Sequence, residues 1–229
     1  MKRFFVKCVL LMLPLCSHAG SLNFNGLGGA GNYDVPVTTF AERRFKTIYK
    51  QQYDFSCGSA TLASLLTYHY NDTVDEQSVF TDMYQNGDQQ KIQKQGFSLL
   101  DIKSYLERRG YRSDGFKINL DQLVNANVPA ITIINNNGYM HFIIIKGLND
   151  EEVLVGDPAL GVKVMPRDEF EKMWEHRILF LIHDKKDIAA KHFQDQQEWA
   201  LRVKAPLGSA VDRASLGQFN MLQPGRWDF

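Results

Sequence analysis

Gln51-Gln52-Tyr53-Asp54-Phe55-Ser56-Cys57-Gly58 places a cysteine at the head of an apolar series, Ala60, Leu62, Ala63, Leu65, Leu66 and Tyr70. That spacing predicts a helix beginning near Cys57, with Asp54 or Ser56 placed to cap it. The chain holds three cysteines, and the other two, Cys8 and Cys16, fall in a segment that reads as an export signal. Residues 1–7 are short and basic, and 8–16 (CVLLMLPLC) are apolar but too few to span a bilayer. Ser17-His18-Ala19 supplies small residues for cleavage after Ala19. Pro14 and Leu15 before Cys16 argue against a lipid anchor. Cys57 would then be a lone thiol in an exported protein, with no partner for an internal disulfide. Such a thiol is kept for its reactivity, is buried and inert, or pairs with another chain; its isolation alone does not choose.

Composition narrows the function. About 210 residues remain after the signal, enough for one good core and a tail. Lys and Arg total 26, as do Asp and Glu, and that balance argues against nucleic acid or an anionic membrane surface as partner. The six His are scattered, with no HExxH or CxxC spacing, so the sequence calls for no metal and no cofactor. No later segment is long and apolar enough for a membrane helix. A soluble, exported protein of the bacterial periplasm is the expected setting.

Along the chain, 21–32 (SLNFNGLGGAGN) reads as a flexible leader and 35–49 as an arm that wraps the domain. Helices are predicted from Cys57, over 75–84 and over 99–109, the last opened by Ser98 and Asp101 at capping-box spacing and stopped by Gly110. A short turn of helix fits 121–125. The pattern then changes to strands: 130–134 (AITII), 141–146 (HFIIIK), 152–155 (EVLV), 162–165 and 178–182 (ILFLI), with a short helix over 167–174. Residues 187–203 suit an amphipathic helix and 205–229 an extended tail. Helices followed by an antiparallel sheet make the class α+β. The expected domains are a signal peptide (1–19), a leader and arm (20–48), a catalytic domain (49–184) and a C-terminal helix with its tail (185–229).

A thiol attacks carbonyls as thiolate, which a helix N-terminus and a neighbouring imidazole both favour. His141 opens an apolar strand and shares a face with Ile143 and Ile145. A hairpin folded about Asn149 sets His141 directly opposite Asp157, whose carboxylate could then orient the ring. A slip by one residue would put the two on opposite faces. A His on an apolar strand is more often a satisfied core residue. His69 lies about three turns beyond Cys57, too far to act as its base, and His176, His183 and His192 read as solvated. The Cys57 N–H is one donor for an oxyanion, and a preceding Gln amide, Gln51 or Gln52, a second.

Gln51-x5-Cys57-Gly58-x-Ala60-x-Leu62 resembles the nucleophile motif of the double-glycine leader peptidases, papain-like cysteine peptidases best known as N-terminal domains of bacteriocin-exporting ABC transporters. Gly96-Phe97-Ser98-x-x-Asp101, His141-Phe142-Ile143, Gly156-Asp157-Pro158-Ala159 and the segment ending at Trp174 follow in family order. The resemblance implies a papain-like fold, a Cys57–His141–Asp157 triad, Gln51 rather than Gln52 in the oxyanion hole, and cleavage after Gly-Gly in a polypeptide. Ser56 stands where the family commonly has an acidic residue, and neither a membrane domain nor an ATPase motif is seen. In this the chain resembles the free-standing proteases of bacterial functional-amyloid (Fap) secretion systems, whose substrates would be amyloid or secretion-system components. Gly28-Gly29-Ala30 offers a self-processing site. A docking module without hydrolysis is the competing reading, and a transglutaminase or amidase on the same triad a third.

Overall fold

The helix that begins at Cys57 is buried on nearly every side by the surrounding structure. A computed structural model describes residues 38–53 and 55–201, and the backbone of 21–25 and 32–36. In chain order the elements are β1 (Ser21–Asn25), β2 (Asn32–Pro36), α1 (Phe40–Arg44), α2 (Cys57–His69), α3 (Glu76–Asn86), α4 (Gln89–Gln95), α5 (Leu99–Arg108), β3 (Ser113–Lys117) and α6 (Leu120–Ala126). There follow β4 (Ala130–Asn136), β5 (Tyr139–Leu148), β6 (Glu152–Asp157), β7 (Gly161–Pro166), α7 (Arg167–Met173), β8 (Ile178–Ile182), α8 (Lys186–Lys191) and α9 (Gln196–Trp199). Residues 1–43 and 44–229 form two compact units. In the first, β1 and β2 pair antiparallel where a flexible leader was expected. The signal, Gly28-Gly29-Ala30, Asp54 and the tail beyond 201 lie outside the described residues.

The second unit is an α+β fold with six strands in the order β3-β8-β4-β5-β6-β7, every pair antiparallel. Strand β5 is central and buried from His141 to Leu148, as a strand covered on both faces should be. Helix α2 packs along it, and α3 and α5 pack on α2. Eleven of its thirteen residues are buried, so its polar side chains need internal partners. Ser59 donates to the Ser56 carbonyl, Thr61 to that of Phe142, and Ser64 to that of Ala60. Ser64 Oγ also accepts the Tyr49 N–H at 2.8 Å.

The predicted helices and strands are present, including the Ser98–Asp101 capping box of α5. Besides β1 and β2, three elements were not foreseen: α1 lies in the expected arm, α4 (QQKIQKQ) is almost wholly polar, and β3 (SDGFK) is an edge strand that lacks a period-two pattern. Three expectations are corrected. Ser56 occupies the N-cap position of α2, but its side chain makes no cap bond; the hydroxyl donates to the buried Glu76 carboxylate at 2.8 Å. The single helix over 187–203 is instead α8 and α9, broken where Gln194 takes φ +66°. Nor is that segment an appendage: Ala189, Phe193, Trp199 and Leu201 are buried in the common core.

The third correction concerns register. His141 is not directly opposite Asp157. Near the turn, Leu148 pairs with Val153 and Gly147 with Leu154; past Lys146 the pairs are Ile145–Val155 and Ile144–Gly156. Continued, this ladder sets Asp157 across from Ile143, one alternation from His141 and on its face. The offset arises from a bulge between Ile145 and Gly147 that apolar patterning does not reveal.

Candidate active site

Cys57 is the first residue of α2 and is buried at 6% exposure. Its N–H belongs to the first turn, where amides lack intrahelical partners, and the helix dipole places positive potential there. Thr61 draws α2 to β5 at the Phe142 carbonyl, next to His141.

His141 Nε2 lies 2.8 Å from Asp157 Oδ1, and both residues are buried. A carboxylate only accepts, so Nε2 carries the proton. The other ring nitrogen, Nδ1, is buried without a nitrogen or oxygen partner among the described residues and is the one left for Cys57. Burial alone would lower the ring's pKa, but the bond and charge of Asp157, joined by those of Cys57, raise it to about 9. Burial pushes the Asp157 carboxyl up; His141, then Lys163 and the Ala159 amide, outweigh this and hold it at about 2. The pair is therefore ionised, imidazolium against carboxylate, through neutral pH.

Asp157 is fixed from several sides. Oδ1 also accepts the N–H groups of Ala159 at 2.9 Å and Leu160 at 3.2 Å, and Oδ2 accepts Lys163 Nζ at 3.1 Å. Lys163 escaped the sequence reading. The signal was there: it faces Val155 across the β6–β7 hairpin, so it shares a face with Asp157.

The loop before Cys57 is tied to the same turn, since the Gln51 N–H donates to the Pro158 carbonyl at 2.9 Å. The Gln51 side chain donates through Nε2 to the Tyr53 carbonyl at 3.3 Å, a long and easily displaced bond. The Gln52 side chain is exposed, while its N–H and Ser56 Oγ both reach Glu76 Oε1. Glu76, raised in pKa by its burial, thus anchors the loop from α3. Alongside runs a cleft of roughly 660 Å³ whose lining includes Cys57, Phe55, Gly96, Phe97, Gly138 and Tyr139.

Of the other histidines, His69 is buried on α2, and burial holds its pKa well below the ordinary value. His192 meets the His69 ring edge-on, and His183 reaches the Asp114 carboxylate at 3.0 Å. Neither is simply solvated as expected. His176 lines the cleft.

Residues 45–187 match the model of the Peptidase C39 family. The chain belongs to the peptidase C39 family. This C39 peptidase is 34% identical over 221 residues to "Probable functional amyloid protease FapD" of Pseudomonas aeruginosa, covering 96% of this chain and 98% of that protein. It is also 34% identical over 216 residues to the protein of the same name from Pseudomonas fluorescens, covering 94% and 96%. Its fold matches the crystal structure of the peptidase domain of Streptococcus ComA, a bi-functional ABC transporter, with a TM-score of 0.50 at 19% identity. That match covers 59% of this chain and 96% of the ComA domain. The papain-like α+β architecture expected from the sequence is thereby shown, and the protein is a cysteine peptidase, a hydrolase.

Proposed function

We propose that Cys57, His141 and Asp157 are the catalytic triad of an exported endopeptidase, with Gln51 and the Cys57 N–H as its oxyanion donors. The observation that carries this reading is the buried His141–Asp157 pair at 2.8 Å, with Nδ1 left for a thiol at a helix N-terminus. His141 takes the Cys57 proton and holds it as the imidazolium of an ion pair. The thiolate attacks the peptide carbonyl, and the oxygen that becomes negative is met by the Cys57 N–H and by Gln51 Nε2, which leaves the Tyr53 carbonyl. Imidazolium then protonates the departing amine, and water attacks the thioester with His141 as base, restoring the thiol. Asp157, fixed by two backbone amides and Lys163, keeps the ring turned with Nδ1 inward.

The substrate is a polypeptide cut after Gly-Gly, taken from a functional-amyloid secretion system in the periplasm. The Fap-type relatives, aligned over nearly their whole length, support this setting, and no helix among the described residues is long and apolar enough to cross a membrane. Cys57, His141 and Asp157 are all retained, which favours hydrolysis over a docking role. The catalytic domain spans 49–184 together with the packed segment to 201. Incubating a Gly-Gly peptide with wild type and Cys57→Ala tests the reading: wild type cuts after the second glycine and the variant does not. Equal cleavage by the variant would overturn it.

A further inference from the structure

The β-bulge at Lys146 decides on which face of the sheet Asp157 lies. Strands β5 and β6 leave their turn with Gly147 opposite Leu154. If that ladder ran on unbroken, Asp157 would come opposite Ile144, whose side chain points away from the face of His141. The one extra residue, Lys146, moves the pairing by one, so Asp157 comes opposite Ile143 and returns to the His141 face. With Lys146 in the chain, a peptidase site built on this hairpin needs that residue held out of the ladder.

Lys146 is poorly suited to a bulge left to itself, because its side chain is fully buried and a buried ammonium must be paired. The partners come from the C-terminal segment and from Thr47. Nζ meets Glu198 on α9 and donates to Thr47 Oγ1 at 2.8 Å and to the Thr47 carbonyl at 3.1 Å. Thr47 Oγ1 itself donates to Glu198. The Lys146 carbonyl, left out of the ladder, accepts the Gln194 N–H at 2.9 Å, and Gln194 Nε2 donates to the Leu148 carbonyl at 2.7 Å. The lysine stem lies under Gly156, where an added Cβ would sit 2.9 Å from Lys146 Cδ and 3.0 Å from Ile48 Cδ1. One buried cation thus links the segment leading to Gln51, the strand of His141, the residue before Asp157, and α9. Gln194 and Glu198 lie beyond residue 187, where the family match ends.

We propose that Lys146, Gln194 and Glu198 are positioning residues of the peptidase: the C-terminal segment pins the bulge and so holds the strand register that brings His141 and Asp157 together. This rests on the triad proposed above.

The test uses the full chain carrying Lys146→Met, which keeps the extra residue but not its buried ion pair, or Glu198→Ala. The readouts are His141 ring titration by NMR, cross-strand contacts of Asp157, and kcat and KM for a Gly-Gly peptide, with cooperative thermal unfolding as the check on folding. In Lys146→Met the buried charge that holds the bulge is gone and position 146 can enter the ladder: the Asp157 contact moves from Ile143 to Ile144, the His141 pKa falls by more than one unit and kcat falls at least a hundredfold. Glu198→Ala lowers kcat at least tenfold with little change in KM, and lowers the ring pKa. A folded variant of either kind with wild-type titration and kcat overturns the proposal, and if the Lys146→Met chain does not fold, Glu198→Ala decides alone. Asp157→Asn separates the two readings. Unchanged cleavage there refutes the triad itself, whereas loss there beside full activity in Glu198→Ala refutes only the register lock.

Discussion

Asp157→Asn removes a charge while keeping a side chain of the same shape, so it isolates what the carboxylate contributes electrostatically. In the wild type, His141 is held at about 9 against an ordinary 6.5. That difference corresponds to about 3–4 kcal/mol of net preference for imidazolium, at about 1.4 kcal/mol per unit. The whole of it is gained against burial, which acts the other way, and the bond and charge of Asp157 are foremost among the opposing effects. An Asn oxygen still accepts from Nε2, so the ring keeps its orientation. The charge is gone, and Lys163, formerly paired with Oδ2 at 3.1 Å, becomes an uncompensated cation beside the ring. The ring pKa should therefore fall to 6.5 or below. At pH 7 the imidazolium fraction drops from about 99% to under about 25%, by the ordinary titration relation. With loss of charge stabilisation in the transition state, kcat for a Gly-Gly peptide should fall about 30- to 300-fold, or about 2–3.4 kcal/mol. Ring titration by NMR and steady-state cleavage at pH 7 read the two effects separately. A ring pKa still near 9 in Asp157→Asn, or kcat within threefold of wild type, would exclude the Asp157 charge as the source of the shift and of its catalytic effect.

Other outcomes follow from the same geometry. The His141 contribution to stability is complete below about pH 6.5 and is lost as pH rises through about 9, whereas that of Asp157 is present above about pH 3.9 and is lost as pH falls through about 2. Urea unfolding of wild type against His141→Ala should therefore differ most between about pH 4 and 6.5 and converge above pH 9, and cleavage should decline on an alkaline limb near pH 9. Ser64→Ala removes the acceptor of the part-buried Tyr49 N–H and should cost about 1 kcal/mol in chemical denaturation. Gly161 has φ +83°, and an added Cβ would sit 2.9 Å from the Arg44 carbonyl oxygen. Gly161→Ala should therefore cost about 2 kcal/mol or more and lower the melting temperature by several degrees.

Much of this architecture was legible in the sequence because local and global signals agree. The apolar series after Cys57 is too broad for a surface helix, and α2 is accordingly the buried centre. Ser98 and Asp101 form the capping box their spacing announces. His141 and Asp157 meet because strand alternation puts them on one face, although the turn-centred pairing was off by two residues, an even slip that preserves the face. What escaped depends on tertiary partners. The bulge at Lys146 is written in Gln194 and Glu198, some fifty residues away in sequence, and no period in 141–148 betrays it. Ser56 looked like a helix cap because nothing local reveals Glu76, which takes its hydroxyl. The break between α8 and α9 follows from the left-handed turn at Gln194, which lets its N–H reach the Lys146 carbonyl. Strand β3 carries the weakest pattern of the sheet because its edge position asks least of its side chains.

In the proposed mechanism Cys57 and His141 act as one chemical unit. The most direct test needs no substrate: the rate of iodoacetamide alkylation of Cys57 at pH 6 in reduced wild type and in His141→Ala. Alkylation is expected to be fast in wild type and at least tenfold slower in the variant, since a neighbouring imidazolium favours the reactive form of a thiol. Equal rates in two folded proteins would contradict that mechanism, leaving Cys57 a buried thiol that His141 does not serve.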